Sequence, residues 1–264
     1  MTIIHAIILG IVEGALEFLP VSAAGHLTLV GKLLGINTEN PAFKIYEIFM
    51  QIGAVIAVII LYSKRLIVDK EIWLKIIAGF VPTGAIGFLF YKPIKHYLLG
   101  NPLITASMVF IGGIIIIIVE SLSKKPKITS LKDVTIKDAI TVGFIQSLAL
   151  IPGVSRSGAT IIGAMLIGFE RKTAADFSFL IAIPTILSAG LYSLLKDHSQ
   201  IHHQDILPMG ISFITALIFA IVSVKTFLNF ISFNNLKIFG YYRIATGIFY
   251  LIYLMRLLIW QMYL

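Results

Sequence analysis

Six runs of 18 to 22 mostly apolar residues decide what this 264-residue chain can fold into: Ile45–Tyr62, Ile72–Tyr91, Pro102–Val119, Asp176–Leu195, Leu207–Val224 and Phe239–Trp260. As helices, runs of that length match a hydrocarbon layer about 30 Å thick. Backbone groups in lipid must be satisfied within the spanning element, which favours helices over open strands. Composition agrees, with 58% of residues apolar and 13% charged. That charged fraction is roughly half that of soluble domains and excludes a water-soluble core.

Two further apolar stretches, about Thr2–Gly35 and Ala139–Phe169, are too long for one span, and polar residues interrupt each. The first break, Glu13–His26, reads E-G-A-L-E-F-L-P-V-S-A-A-G-H; the second, Pro152–Thr160, reads P-G-V-S-R-S-G-A-T. Each stretch is expected to form a helix, a break and a second helix. Ionisable groups at membrane depth mark a functional site by default.

The net charge of +8 is distributed by loop rather than as a patch for nucleic acid. One set of loops holds twelve basic residues: Lys64, Arg65, Lys70, Lys124, Lys125, Lys127, Lys132, Lys137, Arg171, Lys172, Lys225 and Lys237. The alternate loops hold four: Lys44, Lys92, Lys95 and Lys196. The positive-inside rule places the richer set in the cytoplasm. The first broken stretch then begins and ends outside and the second inside, so both are expected to be re-entrant hairpins entering from opposite faces. No basic residue precedes Lys32, so the N-terminus lacks the charged region of a cleaved signal peptide and is expected to be retained. The absence of cysteine removes disulfides and thiolate metal sites.

An offset of 133 aligns Ala6, Ile7, Gly10, Val21, Ser22 and Gly25 with Ala139, Ile140, Gly143, Val154, Ser155 and Gly158. Each half would hold one hairpin and three spans, and the odd number of crossings would invert the second half. Inverted repeats with broken helices place a binding site near the bilayer midplane. The expected architecture is therefore an all-α polytopic membrane protein with an inverted-topology repeat, six transmembrane helices and two opposed re-entrant hairpins. It forms one domain over 1–264, with repeats at about 1–119 and 139–264 joined by a cytoplasmic linker at about 120–138. Tyr46, Tyr62, Trp73, Tyr91 and Trp260 near span ends read as interfacial anchors. Ile111–Val119, after Gly112-Gly113, reads as packing or lipid-facing surface.

Glu13 and Glu17 stack one helical turn apart. Two such carboxylates repel unless a cation, an arginine or a shared proton intervenes. A divalent cation, magnesium or calcium, is the expected partner, since such ions take carboxylate oxygens and share them with substrate phosphates. A protonated pair that only supports packing is the alternative. Pro20 ends the first helix, and His26 follows as a general acid, base or nucleophile toward phosphorus, with Ser22 as the alternative nucleophile. In the second break Pro152 and Gly153 stop one helix, and Ser155, Arg156, Ser157 and Thr160 open the next, a start suited to an anion. Arg156 adds a planar fork for phosphate. Glu47 and Gln51, four apart on the first full span, are expected to orient the first hairpin or line the cavity. His198, His202 and His203 read as a solvated outer loop. Together the breaks form a kit for phosphoryl chemistry on a lipid phosphate.

These residues resemble the undecaprenyl-diphosphatase family, also called bacitracin-resistance proteins. Glu13, Gly14, Glu17, Phe18, Leu19, Pro20, Val21, Ser22, Gly25 and His26 match its first signature; Pro152, Gly153, Ser155, Arg156, Ser157, Gly158 and Thr160 match its second. Glu47, Gln51, Gly53 and Ala54, the stretches Phe177–Leu180 and Ile183–Thr185, and Tyr242-Arg243 are also similar. The resemblance implies a multi-pass phosphatase of the bacterial plasma (inner) membrane with an outward-facing site. Such an enzyme hydrolyses the C55 isoprenoid diphosphate to its monophosphate, recycles the carrier of cell-wall synthesis and confers bacitracin tolerance. It also implies a divalent-cation requirement. One position departs: the family has two serines after P-V, the second a proposed catalytic group, and this chain has Ser22 followed by Ala23.

The leading expectation is a diphosphatase in which Ser155, Arg156, Ser157, Thr160 and Gly153 hold the diphosphate and Glu13 and Glu17 hold the cation. Glu17, His26, Ser22 and Arg156 would carry the chemistry. Expected partners are the isoprenoid diphosphate and membrane lipids; nucleic acid is not expected, and a homodimer is left open. The competing readings are an isoprenoid-phosphate translocase and a variant impaired by Ala23.

Overall fold

Short polar side chains set several helix starts. Thr2 caps the first helix by accepting from the His5 N–H at 3.2 Å, and Asp69 accepts from Ile72 N–H at 3.2 Å. Thr135 and Asp138 form a reciprocal capping box, which satisfies donors that a helix leaves unpaired. The resulting order is α1 (Ile3–Leu16), α2 (Ala23–Leu33), α3 (Pro41–Val68), α4 (Lys70–Leu89), α5 (Tyr91–Pro93), a π-helical turn (Ile94–Leu98), α6 (Pro102–Leu122), α7 (Ile136–Gln146), a 3-10 turn (Ser147–Leu150), α8 (Arg156–Leu166), α9 (Arg171–Asp197), α10 (Ile206–Phe233) and α11 (Lys237–Met262). The structure, a computed structural model, describes residues 1–38, 40–98, 101–122, 125–197 and 205–262. His198, His202 and His203 lie outside the described residues, as does the side chain of Trp260.

The chain is an all-α polytopic membrane protein. Six helices, α3, α4, α6, α9, α10 and α11, are long and apolar enough to cross a bilayer, one for each apolar run. Among the described residues there is no strand, only an isolated bridge between Ile128 and Phe169. The other two apolar stretches fold as helix, break and helix: α1–α2 and α7–α8. Large apolar side chains such as Ile60, Val81, Ile115, Ile118, Ile218, Val222 and Ile252 are exposed along the spans. Lipid solvates such a surface.

Small residues govern how the helices meet. α1 packs along α10 and α7 along α4, while α3 contacts both α9 and α10, and α6 pairs with α11. A Cβ on Gly10 would lie 2.8 Å from the Ser212 carbonyl, and one on Gly143 would strike the Gly79 carbonyl. Close backbone approach through small residues is how membrane helices gain packing energy without a hydrophobic driving force. These two contacts are related by the 133-residue offset seen in the sequence, Gly10 to Gly143 and Gly79 to Ser212. Local backbone geometry recurs at the same offset. Ser22 and Ser155 each precede an 11-residue helix at positive φ, 71° and 74°, and positive-φ glycines Gly35 and Gly168 follow those helices.

Two of the expected anchors are instead clamps between helices. Tyr46 is buried and donates to Asp205 Oδ1 at 2.7 Å, and the Tyr62 hydroxyl donates to Asp176. Trp73 stays at the surface and donates to the Leu66 carbonyl at 2.8 Å. Tyr91 contacts Tyr192 and Lys196. In the linker, the buried Lys75 ammonium donates to the Leu131 and Lys132 carbonyls at 3.0 and 2.9 Å, tying this segment to α4. Buried Glu120 pairs with Arg171 and accepts from Leu236 N–H at 3.2 Å. A buried charge needs such partners to offset desolvation.

Candidate active site

The two breaks meet, and Arg243 on α11 holds them together. Its guanidinium donates to the carbonyls of Pro20 (3.2 Å), Gly153 (2.9 Å), Val154 (3.0 Å), Met108 (3.0 Å) and Val109 (3.1 Å). One cation, 1% exposed, thus joins both breaks to α6. Broken helices leave carbonyls without helical donors, and in a membrane these need another partner. Gly112 makes room, because a Cβ there would overlap the guanidinium. Gly112 is therefore a seat for an arginine, while Gly113 packs on Gly240 and Ile111, Ile114, Ile115 and Ile118 stay exposed as the packing and lipid-facing surface expected. Ser157 adds a direct tie, donating to the Leu19 carbonyl at 2.7 Å.

Strain is stored at the same place. Ser22 and Ser155 are the two non-glycine residues with positive φ among the described residues. Such conformations cost about 1–3 kcal/mol each and persist where surrounding contacts over-determine them. Ser155 is further held by accepting from Gly158 N–H at 3.1 Å. Gly153 has φ of 91° and no space for a side chain, since a Cβ would meet the Thr105 carbonyl.

The contact between the breaks that carries opposite charge is Arg156 with Glu17. Arg156 Nη2 donates to Glu17 Oε1 at 2.8 Å, and the two side chains are 13% and 12% exposed. Nη1 donates to the Ser178 carbonyl at 3.3 Å, and the guanidinium carbon sits 5.4 Å from the Phe18 ring centroid. Phe18 is fixed edge-on against Phe179, with centroids 5.2 Å apart. Only two of the five N–H donors are committed in these bonds, so the fork keeps capacity for an anion.

Glu13 lies beneath this pair, fully buried, and neither carboxylate oxygen receives a donated hydrogen bond. Glu17, one helical turn on, and Glu47 act on it as like charges and Arg156 as the opposite charge. A shared proton or a cation makes such a contact favourable. Both carboxylates suit a hard divalent ion. Among the described residues no group of three or more His, Cys, Asp or Glu could hold a metal. The protein's share would be the two carboxylates, with substrate and water oxygens completing the shell, a common arrangement for magnesium. Gln51 lies one turn beyond Glu47 on α3, and both are partly buried.

The hydroxyls divide differently. Thr160 is completely buried, donates to the Arg156 carbonyl at 2.9 Å and bonds to the Ser178 hydroxyl. Ser157 is 1% exposed and committed to Leu19. Ser155 is partly exposed, 3.1 Å from the Ser157 hydroxyl. Of these three, Ser155 alone has an accessible side, while Ser157 and Thr160 brace the loop around Arg156.

His26 does not address the Ser22 hydroxyl. Its Nδ1 donates to the Ser22 backbone carbonyl at 2.9 Å, and Nε2 lies 2.8 Å from the Tyr242 hydroxyl. Ser22 is 4% exposed, and Ala23, the first residue of α2, is 5% exposed. Sequence reasoning gave no site role to Tyr242 or Arg243. The available signal was an arginine inside an apolar span, a placement that lipid does not tolerate without a purpose.

Known proteins with this sequence pattern carry a specific name. The family model described as bacitracin resistance protein BacA matches residues 6–249. An undecaprenyl-diphosphatase of Aquifex aeolicus is 48% identical over 251 residues, covering 95% of this chain and 98% of that protein. One of Wolinella succinogenes is 47% identical over 256 residues, covering 96% and 99%. One of Thermus thermophilus is 40% identical over 254 residues, covering 96% and 97%. With the family model spanning nearly all of it and relatives aligned from end to end, this chain belongs to the bacitracin resistance protein BacA family.

Proposed function

We propose that this chain is a membrane phosphatase that hydrolyses undecaprenyl diphosphate to undecaprenyl phosphate and inorganic phosphate. Family membership and the names of its relatives support that reaction. The observation that carries it onto this site is the Arg156–Glu17 pair at the junction of the two breaks, accessible on one side and backed by buried Glu13.

Phosphoryl transfer spreads charge over the phosphoryl oxygens and relies on positioning and electrostatic stabilisation. Arg156 supplies a fixed fork for the diphosphate, and Ser155 a hydroxyl beside it. Arg243, Ser157 and Thr160 hold the loop, so the fork is in place before the substrate arrives. Glu13 and Glu17 would hold a divalent cation. When bound, that cation neutralises charge on the phosphate oxygens. His26 is the base toward which the proton of the attacking oxygen is drawn, and the lipid monophosphate departs with the bridging oxygen. The isoprenoid tail lies among the apolar spans.

The same reading makes the two halves an inverted repeat with opposed re-entrant hairpins and sets the site toward the outer face of a bacterial plasma membrane. Its support is the loop charge distribution, the shared 133-residue offset in helix contacts and backbone geometry, and three spans in each half. The chain has no cysteine of its own. Single cysteines replacing Tyr97 and Lys132 should therefore label from opposite faces of sealed vesicles, Tyr97→Cys from outside. Labelling of both from one face would end this orientation.

Hydrolysis is tested by phosphate release from undecaprenyl or farnesyl diphosphate in detergent. Wild-type protein should turn over and Arg156→Ala should lose about 10²–10³-fold in kcat. Undiminished turnover by the variant would remove Arg156 from the mechanism.

A further inference from the structure

The Tyr242–His26 contact is not accounted for by the site chemistry described so far. A backbone carbonyl only accepts hydrogen bonds, so the 2.9 Å contact between His26 Nδ1 and the Ser22 carbonyl puts a proton on Nδ1. In the neutral ring the lone pair is then on Nε2, where the Tyr242 hydroxyl donates at 2.8 Å. The two rings are nearly parallel, their planes 8° apart with centroids at 5.5 Å. The single basic atom of His26 thus faces a phenol.

Tyr242 is placed there by the best-anchored part of α11. Arg243, the next residue, is fixed by five carbonyls, and Thr246 donates to the Tyr242 carbonyl at 2.9 Å. Unlike Arg243, Tyr242 is 43% exposed. Its hydroxyl meets the ring in an exposed part of the structure.

We propose that Tyr242 is the proton relay between the attacking oxygen and His26. The proposal rests on the hydrolytic reading above. As water attacks the terminal phosphorus, its proton passes to the Tyr242 oxygen while the phenolic proton passes to His26 Nε2. A new P–O bond forms and the bond from that phosphorus to the bridging oxygen breaks. The lipid monophosphate leaves with the bonding pair, and the His26 imidazolium later releases its proton to solvent or to the product phosphate. Tyr242 is neutral before and after, so atoms and charge balance. The fixed tautomer suits this role, because the Ser22 carbonyl that orients the ring also stabilises the imidazolium.

The experiment compares wild type, Tyr242→Phe and protein carrying 3,5-difluorotyrosine at position 242, assayed for phosphate release with thermal midpoints measured alongside. Tyr242→Phe should lower kcat by about 10²-fold with KM changed less than about threefold, the size expected for loss of one proton-transfer group. Difluorotyrosine keeps ring and hydroxyl and changes the acidity of the phenol, so kcat and its solvent isotope effect should move while the midpoint stays. A wild-type kcat in Tyr242→Phe, a loss confined to KM, or a kcat indifferent to fluorination would overturn the relay while leaving the hydrolase intact. If Tyr242→Phe fails to fold, the difluorotyrosine protein decides alone. Wild-type protein that releases no phosphate would overturn the hydrolytic reading itself, and the relay with it.

Discussion

Arg156 and Glu17, 139 positions apart in the chain, form an ion pair at 2.8 Å with the side chains 13% and 12% exposed. The pair joins the end of α1 to the start of α8. A surface pair of this kind contributes little to stability, and a fully buried one carries a desolvation cost. This one sits between those limits, where a phosphate can compete with the carboxylate for the same donors.

Geometry rather than charge alone should therefore decide turnover. Arg156→Lys keeps the positive charge and loses the planar fork. It is expected to lower kcat by about 10²-fold, close to the loss for alanine. Steady-state phosphate release measures it; a lysine variant within a few-fold of wild type would reduce Arg156 to a point charge.

The Arg243 seat predicts a different defect. Arg243→Met removes five donated bonds to carbonyls of the breaks and α6. Each buried acceptor left alone costs about 1–3 kcal/mol. Several together should lower the thermal midpoint in detergent by on the order of 10 °C. Arg156→Ala should lower it far less. Equal midpoints for the two variants would contradict the distinction between the arginine that holds the breaks and the one that faces substrate.

Six spans were legible because apolar run length answers directly to bilayer thickness, and the two breaks because polar residues interrupt apolar runs. The Arg156–Glu17 meeting was less legible: pattern gave the residue types, and only the meeting of the two breaks on Arg243 gave their contact. Tyr46 and Tyr62 read as interfacial anchors from position alone, since no local signal announces partners as distant as Asp205 and Asp176. The phosphate role expected of Ser157 and Thr160 followed from their nearness to Arg156. The structure places both hydroxyls inward on protein partners, Ser157 on the Leu19 carbonyl and Thr160 on the Arg156 carbonyl and the Ser178 hydroxyl. The 133-residue offset does not carry the site residues across. Buried Gln146 stands 133 positions after Glu13 and donates to Thr83 at 2.9 Å, and Ala23 stands 133 before Arg156.

Packing at the two crossings that share the 133-residue offset should respond in parallel. Gly10→Val and Gly143→Val both force a side chain onto a backbone carbonyl. Each should cost about 1–3 kcal/mol or more, read as a lower thermal midpoint. Gly210→Ala, on α10 with nothing within 4 Å of a new Cβ, should be neutral or raise the midpoint slightly. Tolerance of valine at either crossing would argue against those contacts.

Cation dependence should track the buried carboxylate. Glu13→Gln keeps shape and removes charge from a side chain whose oxygens accept no donated bond. Chelation should abolish wild-type turnover, and magnesium titration should restore it. The variant should need at least about tenfold more magnesium, a loss of roughly 1.4 kcal/mol in binding. Restoration at the same concentration in both proteins would leave the metal elsewhere.

Position 23 tests how far the departure from the family pattern matters. Ala23 is 5% exposed at the first turn of α2, beside strained Ser22 and one turn before His26. Arg156, Glu17, Glu13 and His26 are all in place without a hydroxyl there. Ala23→Ser is expected to change kcat by less than about threefold, under ~0.7 kcal/mol in the barrier. That result would keep the chemistry with water as the attacking oxygen and His26 as the final proton acceptor. A tenfold or greater gain would mean that a hydroxyl at position 23 belongs to the reacting groups and that this chain works at reduced capacity without it.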